Sequence, residues 1–131
     1  MQGLAVHDGR MLGGGAPITA IDLSEDELEG FLHKFDLVVV DCWVGWCKHS
    51  NRMIPIFDLL AKEMSGKAVF GKVDAQRHYH VPVKYKIRAT PTFLIFRRGE
   101  LVDRLVGEMS KEELAHAVHR QLDFLGRGPA P

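Results

Sequence analysis

The sequence contains only two cysteines, Cys42 and Cys47, among its 131 residues. Two thiols are too few for a disulfide framework or a four-cysteine metal site. They fit a reducing compartment, where a cysteine is kept for packing or for reactivity. Seven histidines are spread along the chain, but no further cysteine or carboxylate completes a ligand set by spacing. The sequence therefore predicts no metal and no cofactor.

The chain also lacks net charge and long apolar segments. Its 17 basic and 17 acidic residues balance, so no global field favours nucleic acid or an anionic membrane surface. No apolar run approaches the length of a membrane span, and the N-terminus has no basic region followed by an apolar signal core. We therefore expect a cytoplasmic monomer that binds neither nucleic acid nor membrane.

The length and the hydrophobic content of 46% predict a single domain with one core, over residues 18–125. Residues 1–17 contain three consecutive glycines and no apolar period, so we expect a flexible leader. The last six residues, "GRGPAP" at 126–131, are expected to end the final helix and to fray.

Strand and helix patterns alternate within the domain. "LVVVDCW", residues 37–43, is β-branched and apolar on both faces, which is typical of a central strand, and its one charge is Asp41. A helical spacing of apolar residues runs from Cys47 to about Met64, with Pro55 expected to kink it. Capping boxes at Ser24 and Ser110 predict two more helices, which bury Leu28, Phe31, Leu32 and Phe35, and Leu114, Ala117, Val118, Leu122 and Leu125.

The remaining segments complete a β-α-β-α-β-α-β-β-α order. "ITAID" and "AVFGKVD" read as strands, "HYHVPVKYK" as a short irregular helix, and "TFLIFRRGELVDRLV" as a hairpin that turns at Arg98 and Gly99. This order predicts an α/β fold with a central mixed sheet and helices on both faces.

Cys47 stands where a helix is expected to begin. Unpaired backbone N–H groups and the helix dipole favour a thiolate there. Lowering a thiol pKa from about 8.5 to about 7 raises the thiolate fraction at neutral pH from a few per cent to about half. A cationic His49 would strengthen the effect. The alternative is an inert core cysteine, but Trp46 and Lys48-His49-Ser50 give Cys47 surface-like neighbours.

The segment "VVVDCWVGWCKHSNRMIPIF" resembles the thioredoxin family, in which a Trp-Cys-x-x-Cys turn enters a helix. The resemblance continues without a gap through "GKVD", "KYKIRATPTFLIFRRGE" and "LVGEMSKEEL", and so covers residues 18–125. It implies the thioredoxin fold, a three-layer α/β/α sandwich, with a cis peptide between Thr90 and Pro91 beside Cys47.

The resemblance also implies roles for individual residues. Cys47 would be the nucleophile of a thiol-disulfide oxidoreductase. Asp41, buried near Lys72, would accept or relay a proton, and the alternative is an ion pair that anchors the strand. The substrate groove would be formed by Trp46, Lys48, His49, Thr90, Pro91 and Gly107. The expected partners are protein disulfides, with a thioredoxin reductase or a small thiol as electron donor.

Ser50 departs from the family pattern, because it stands where the second cysteine would resolve the mixed disulfide. A hydroxyl ionises too weakly to attack sulfur at neutral pH, although it can hydrogen-bond to a thiolate. Three explanations stay open: an engineered change that traps partners or prevents oxidation, a natural monothiol enzyme that uses an outside thiol, and a non-catalytic binding or chaperone module.

Two neighbouring positions add to this departure. Lys48 and His49 replace the Gly-Pro usual in thioredoxins, and a histidine at this position resembles disulfide oxidases and isomerases. Cys42 follows Asp41 on a strand, so its side chain is expected to point to the opposite face and into the core. We therefore do not expect Cys42 to replace the missing resolving cysteine.

Overall fold

A strand with apolar side chains on both faces lies at the centre of the molecule. The computed structural model describes residues 16–126. Its strands are β1 (Ile21–Asp22), β2 (Leu37–Trp43), β3 (Val69–Asp74), β4 (Thr92–Arg97) and β5 (Glu100–Val106). Its helices are α1 (Glu25–Lys34), α2 (Lys48–Glu63), α3 (His80–Tyr85) and α4 (Lys111–Gly126). The predicted order of elements is confirmed.

The five strands form one mixed sheet in the order β1-β3-β2-β4-β5. β3 runs parallel to both β1 and β2, whereas β4 is antiparallel to β2 and to β5. In this register Asp41 of β2 lies between Lys72 of β3 and Phe93 of β4. The predicted α/β fold with a central mixed sheet is therefore confirmed.

Helices cover both faces of the sheet, because alternate side chains of β2 point in opposite directions. On one face Leu37 and Val39 pack with α2 and α4 in a core that includes Met53, Phe57, Phe70, Phe93, Ile95, Leu114 and Val118. On the other face Val38, Val40 and Cys42 pack with α1 and α3 in a core that includes Leu28, Leu32, Val73, Val81, Leu94 and Phe96. Two apolar layers on one sheet give the predicted sandwich.

The hairpin between β4 and β5 turns at the predicted residues. Arg98 has φ 51° and Gly99 has φ 85°, and two positive φ values are what a two-residue type I′ turn requires. A Cβ atom on Gly99 would lie 2.4 Å from the Nδ1 atom of His33. Both the backbone conformation and the lack of space therefore favour glycine here.

Some boundaries differ from the sequence-based prediction. β1 contains only Ile21 and Asp22 rather than five residues. Phe31 and Phe35 pack against the core but are only partly buried. The predicted leader lies outside the described residues up to position 15, as does the predicted tail beyond Gly126. Within residues 16–126, no helix is both long and apolar enough to cross a membrane.

Candidate active site

Cys47 occupies the N-cap of α2, at the end of the loop that leaves β2. Its backbone is extended (φ −93°, ψ 117°), and its N–H donates to the Val44 carbonyl oxygen at 3.2 Å. The Asn51 side chain closes the same loop by donating to the Gly45 carbonyl oxygen at 2.9 Å. The thiol is partly exposed, and the neighbouring Trp46 side chain is 72% exposed. The fold thus holds this sulfur at the surface.

Two other segments meet the sulfur. The Thr90–Pro91 peptide is cis, and the Cys47 thiol donates to the Thr90 carbonyl oxygen at 3.4 Å. The N–H of Gly107, in the loop between β5 and α4, donates to the Pro91 carbonyl oxygen at 2.9 Å. Gly107 has φ 101°, a conformation that glycine adopts readily. Cys47, Trp46, Thr90, Pro91 and Gly107 are therefore brought together.

The environment of Cys47 lowers the pKa of its thiol to about 7. The Thr90 side chain has the largest influence, and the backbone N–H of Ser50 follows; the Ser50 hydroxyl and the His49 N–H act in the same direction, against the effect of burial. Donors favour the anion because a thiolate accepts hydrogen bonds. A substantial fraction of thiolate is therefore present near neutral pH.

Ser50 lies one turn into α2 and is fully buried. Its hydroxyl oxygen has no hydrogen-bond partner among the described residues while Cys47 is a thiol, but the hydroxyl can donate to the Cys47 thiolate. A buried hydroxyl without a partner costs stability, on the order of 1–3 kcal/mol.

Asp41 lies at the carboxyl-terminal end of β2, on the face covered by α2. It is completely buried, and within residues 16–126 neither carboxyl oxygen has a hydrogen-bond partner. Burial raises the pKa of Asp41 to about 7, Lys72 opposes that rise, and Asp58 adds to it. The group can therefore exchange a proton near neutral pH.

Lys72 is not paired directly with Asp41. Its ammonium donates to Asp58 Oδ1 at 3.1 Å, across from β3 to α2. Among the described residues Asp41 therefore makes no hydrogen bond with Lys72, although the ammonium still opposes the rise in the pKa of Asp41. Asp58 was missed by the sequence reasoning, because it follows the buried Phe57 on the helix and reads as an ordinary solvated residue.

The two residues between Cys47 and Ser50 are both exposed, but the structure gives a contact for only one of them. His49 Nδ1 lies 2.8 Å from Glu108 Oε1, and Arg52 Nη1 donates to the same oxygen at 3.3 Å. Lys48 is the first residue of α2. Glu108 was also missed, since it follows Gly107 in a loop without any motif.

Cys42 lies on the opposite face of β2 from Asp41 and is completely buried. Burial, with the nearby Asp41 carboxylate, raises the pKa of this thiol well above its usual range. Both described cysteines are free. In the part of the chain that the structure describes, no three His, Cys, Asp or Glu side chains cluster as metal ligands would.

Comparison with known proteins agrees with this architecture. The family model described as Thioredoxin matches residues 19–120. The chloroplastic thioredoxin M4 of Arabidopsis thaliana is 32% identical over 108 residues, which are 82% of this chain and 56% of that protein. The thioredoxin of Staphylococcus epidermidis is 34% identical over 84 residues, 64% of this chain and 81% of that one. The chain thus spans about half the length of the plant relative.

Solved structures give the same result. A thioredoxin from Plasmodium falciparum superposes with a TM-score of 0.71 and 30% identity, over 77% of this chain and 97% of that one. A thioredoxin from Halobacterium salinarum superposes with a TM-score of 0.76 over 82% of this chain and 95% of that one. Its identity of 24% supports the fold alone.

Proposed function

The chain belongs to the thioredoxin family of thiol-disulfide oxidoreductases, and from that premise we propose that it acts on protein disulfides through Cys47 alone. The observation that carries the proposal is the partly exposed Cys47 sulfur at the start of α2, 3.4 Å from the Thr90 carbonyl oxygen of a cis peptide. A thiol with a pKa of about 7 combines a large thiolate fraction with good nucleophilicity.

The first step is attack of the Cys47 thiolate on one sulfur of the substrate disulfide. The S–S bond of the substrate breaks, a bond between Cys47 and the substrate sulfur forms, and the other substrate sulfur leaves as a thiolate. The leaving thiolate takes a proton, for which Asp41, with its pKa of about 7, is the proposed buried donor. Lys72 and Asp58 modulate that carboxyl group.

The second step needs a thiol from outside the chain, because Ser50 has no sulfur. An external thiolate attacks the Cys47 sulfur of the mixed disulfide and releases the reduced substrate. A second external thiol then releases Cys47 and leaves as the disulfide of the donor. Two thiols are oxidised for each disulfide reduced. If a second thiolate of the substrate attacks the substrate sulfur of the mixed disulfide before any external thiol does, a new disulfide forms within the substrate and Cys47 leaves as a thiolate. The outcome is then isomerisation without net reduction.

The substrate groove is proposed to run past Trp46, Thr90, Pro91 and Gly107. We propose that an extended segment pairs its backbone with the chain at Thr90 while its cysteine reaches Cys47. The exposed indole of Trp46 offers apolar contact to a bound segment. Lys48 and His49 line the helix side of this groove, and a small thiol or a thioredoxin reductase is the proposed electron donor.

Ser50→Cys tests the proposal directly. We expect insulin reduction with millimolar dithiothreitol to accelerate by about 100-fold, because a resolving thiol within the same turn acts at a high effective concentration. Ser50→Ala is the matched control and should show no acceleration, because it also lacks a resolving thiol. If Ser50→Cys folds and gives no gain, the proposed dithiol ancestry of the site is wrong.

Cys47→Ala separates thiol chemistry from binding. On a non-reducing gel, mixed disulfides with a disulfide-bonded substrate should form with the unchanged chain and disappear with this variant. Capture that survives both Cys47→Ala and reductant would instead support the alternative, a non-catalytic binding or chaperone module that uses the same groove.

A further inference from the structure

Glu108 connects the helix of the nucleophile to the loop that forms the groove. One of its carboxylate oxygens accepts from His49 Nδ1 at 2.8 Å and from Arg52 Nη1 at 3.3 Å. His49 and Arg52 are three positions apart on α2, so both side chains lie on the same face. The contact spans 59 positions of sequence and joins the first turn of α2 to the residue after Gly107.

The same contact determines where the imidazole of His49 lies relative to the sulfur. Among the described residues, the hydrogen bond of the His49 ring goes to Glu108, and that of the Cys47 thiol goes to the Thr90 carbonyl oxygen. The influence of His49 on the thiolate that the structure shows is that of its backbone N–H. His49 is thus close to Cys47 in sequence, but its ring is directed to the loop that contains Glu108.

We propose that Glu108 is a positioning residue, which holds the His49 imidazole against the loop after Gly107 and thereby keeps it from stabilising the Cys47 thiolate. The inference rests on the proposed function, since it concerns the same nucleophile. A carboxylate accepts the imidazole N–H and pairs with the ring when it is protonated, so the ring is retained in either state. Without Glu108, the ring is free to approach the sulfur.

Several charged groups other than His49 lie on or beneath α2. Lys48 is exposed on this helix, and Arg52 loses its contact with Glu108 when Glu108 is changed. Beneath α2, Asp41 is buried and Lys72 is paired with Asp58. A change at Glu108 therefore removes one carboxylate and releases the side chains of His49 and Arg52, of which only that of His49 is assigned the effect on Cys47.

The test is the pH dependence of iodoacetamide alkylation at Cys47 in the full chain, with the modified peptide identified by mass spectrometry. We expect Glu108→Ala to lower the pH midpoint by about one unit, because a cation beside a thiolate has an effect of this order. In a His49→Ala background, Glu108→Ala should leave the midpoint unchanged. Glu112→Gln, which removes an exposed carboxylate in the first turn of α4, is the charge-matched control and should have no effect.

Two results would overturn the inference. One is an unchanged midpoint in Glu108→Ala. The other is an equal shift with and without His49, which would mean that the Glu108 charge acts on the sulfur directly. A purely structural role of Glu108 would alter thermal stability without moving the midpoint. If Cys47 in the unchanged chain is alkylated with the pH midpoint of an ordinary thiol, the proposed function is contradicted. The effect of Glu108 is tested separately, because it is the difference in midpoint between Glu108→Ala and the unchanged chain.

Discussion

Cys42 and Cys47 are five positions apart and chemically identical, yet the fold gives them opposite properties. Cys42 lies in the middle of the sheet, sealed by α1 and α3, and its pKa is raised. Cys47 begins α2 at the surface, and its pKa is lowered to about 7. The difference shows that the supporting element decides thiol chemistry: a strand interior removes water, whereas a helix start supplies N–H donors.

The strongest contrast should appear in alkylation of the native protein at pH 7. We expect Cys47 to react at least about 1,000-fold faster than Cys42, because Cys42 becomes accessible only when the structure opens. Mass spectrometry of the labelled peptides, with and without denaturant, measures both rates. Similar rates for the two thiols in the native protein would contradict the assigned environments.

Asp41 extends the comparison to the other face of β2. Its folded pKa of about 7 lies above that of an unfolded chain, so the folded state binds the proton more tightly. Stability should therefore fall as the pH rises from about 4 to about 7 and then level off. Asp41→Asn should raise the free energy of unfolding by about 4 kcal/mol at pH 8 and by less than about 1 kcal/mol at pH 4.

Urea denaturation of Asp41→Asn at both pH values checks this expectation. If Asp41→Asn is instead less stable than the unchanged chain at pH 8, the ionised carboxylate of Asp41 is stabilised in the folded protein. Lys72→Met is a useful companion, since the loss of the ammonium should increase the pH dependence contributed by Asp41.

Serine in place of the buried thiol should weaken the fold. Cys42→Ser puts a hydroxyl into an apolar layer, and we expect it to lower the free energy of unfolding by about 2 kcal/mol. Cys42→Ala loses only packing and should cost less. Comparison of the two urea midpoints at pH 7 separates the cost of burying a hydroxyl from the cost of lost packing. Equal midpoints would mean that the hydroxyl of Cys42→Ser is hydrated or hydrogen-bonded.

The same substitution at the other cysteine should have the opposite sign. Cys47 is an N-cap residue that makes no side-chain capping hydrogen bond, and serine is among the preferred N-cap residues. At about pH 5, where Cys47 is a neutral thiol, Cys47→Ser should therefore raise the free energy of unfolding by about 0.5–1 kcal/mol. At about pH 8 the gain should be smaller, because the Cys47 thiolate itself accepts from the N–H groups at the helix start. Cys47→Ala cannot cap and serves as the control; a loss of stability in the serine variant would count against the assigned cap.

Much of this architecture could be predicted because the sequence patterns that specify it involve residues close together in the chain. The Ser24 and Glu27 capping box forms both of its hydrogen bonds, and Ser110 and Glu113 likewise bond to each other across the start of α4. The alternating apolar pattern of residues 37–43 predicted a central strand, which β2 is. The cysteine at the helix start could be identified for the same reason.

The missing parts depend on contacts between distant charged groups. Asp58 reaches Lys72 across two elements, and Glu108 reaches His49 over 59 positions, so no periodicity marks either residue. Gln121 is similar: it is buried on α4, where Arg97 donates to its side-chain oxygen at 2.7 Å. The pattern of apolar and polar residues in a sequence cannot predict that a particular polar side chain is buried.

The uncapped start of α2 has a consequence for the whole molecule. The N–H groups of Ser50 and His49 stabilise an anion on the sulfur, and a sulfur bonded to another sulfur carries no charge. Blocking Cys47 therefore removes a favourable interaction from the helix end. By thermodynamic linkage, the protein should melt at a lower temperature when Cys47 is covalently loaded than when it is a free thiolate.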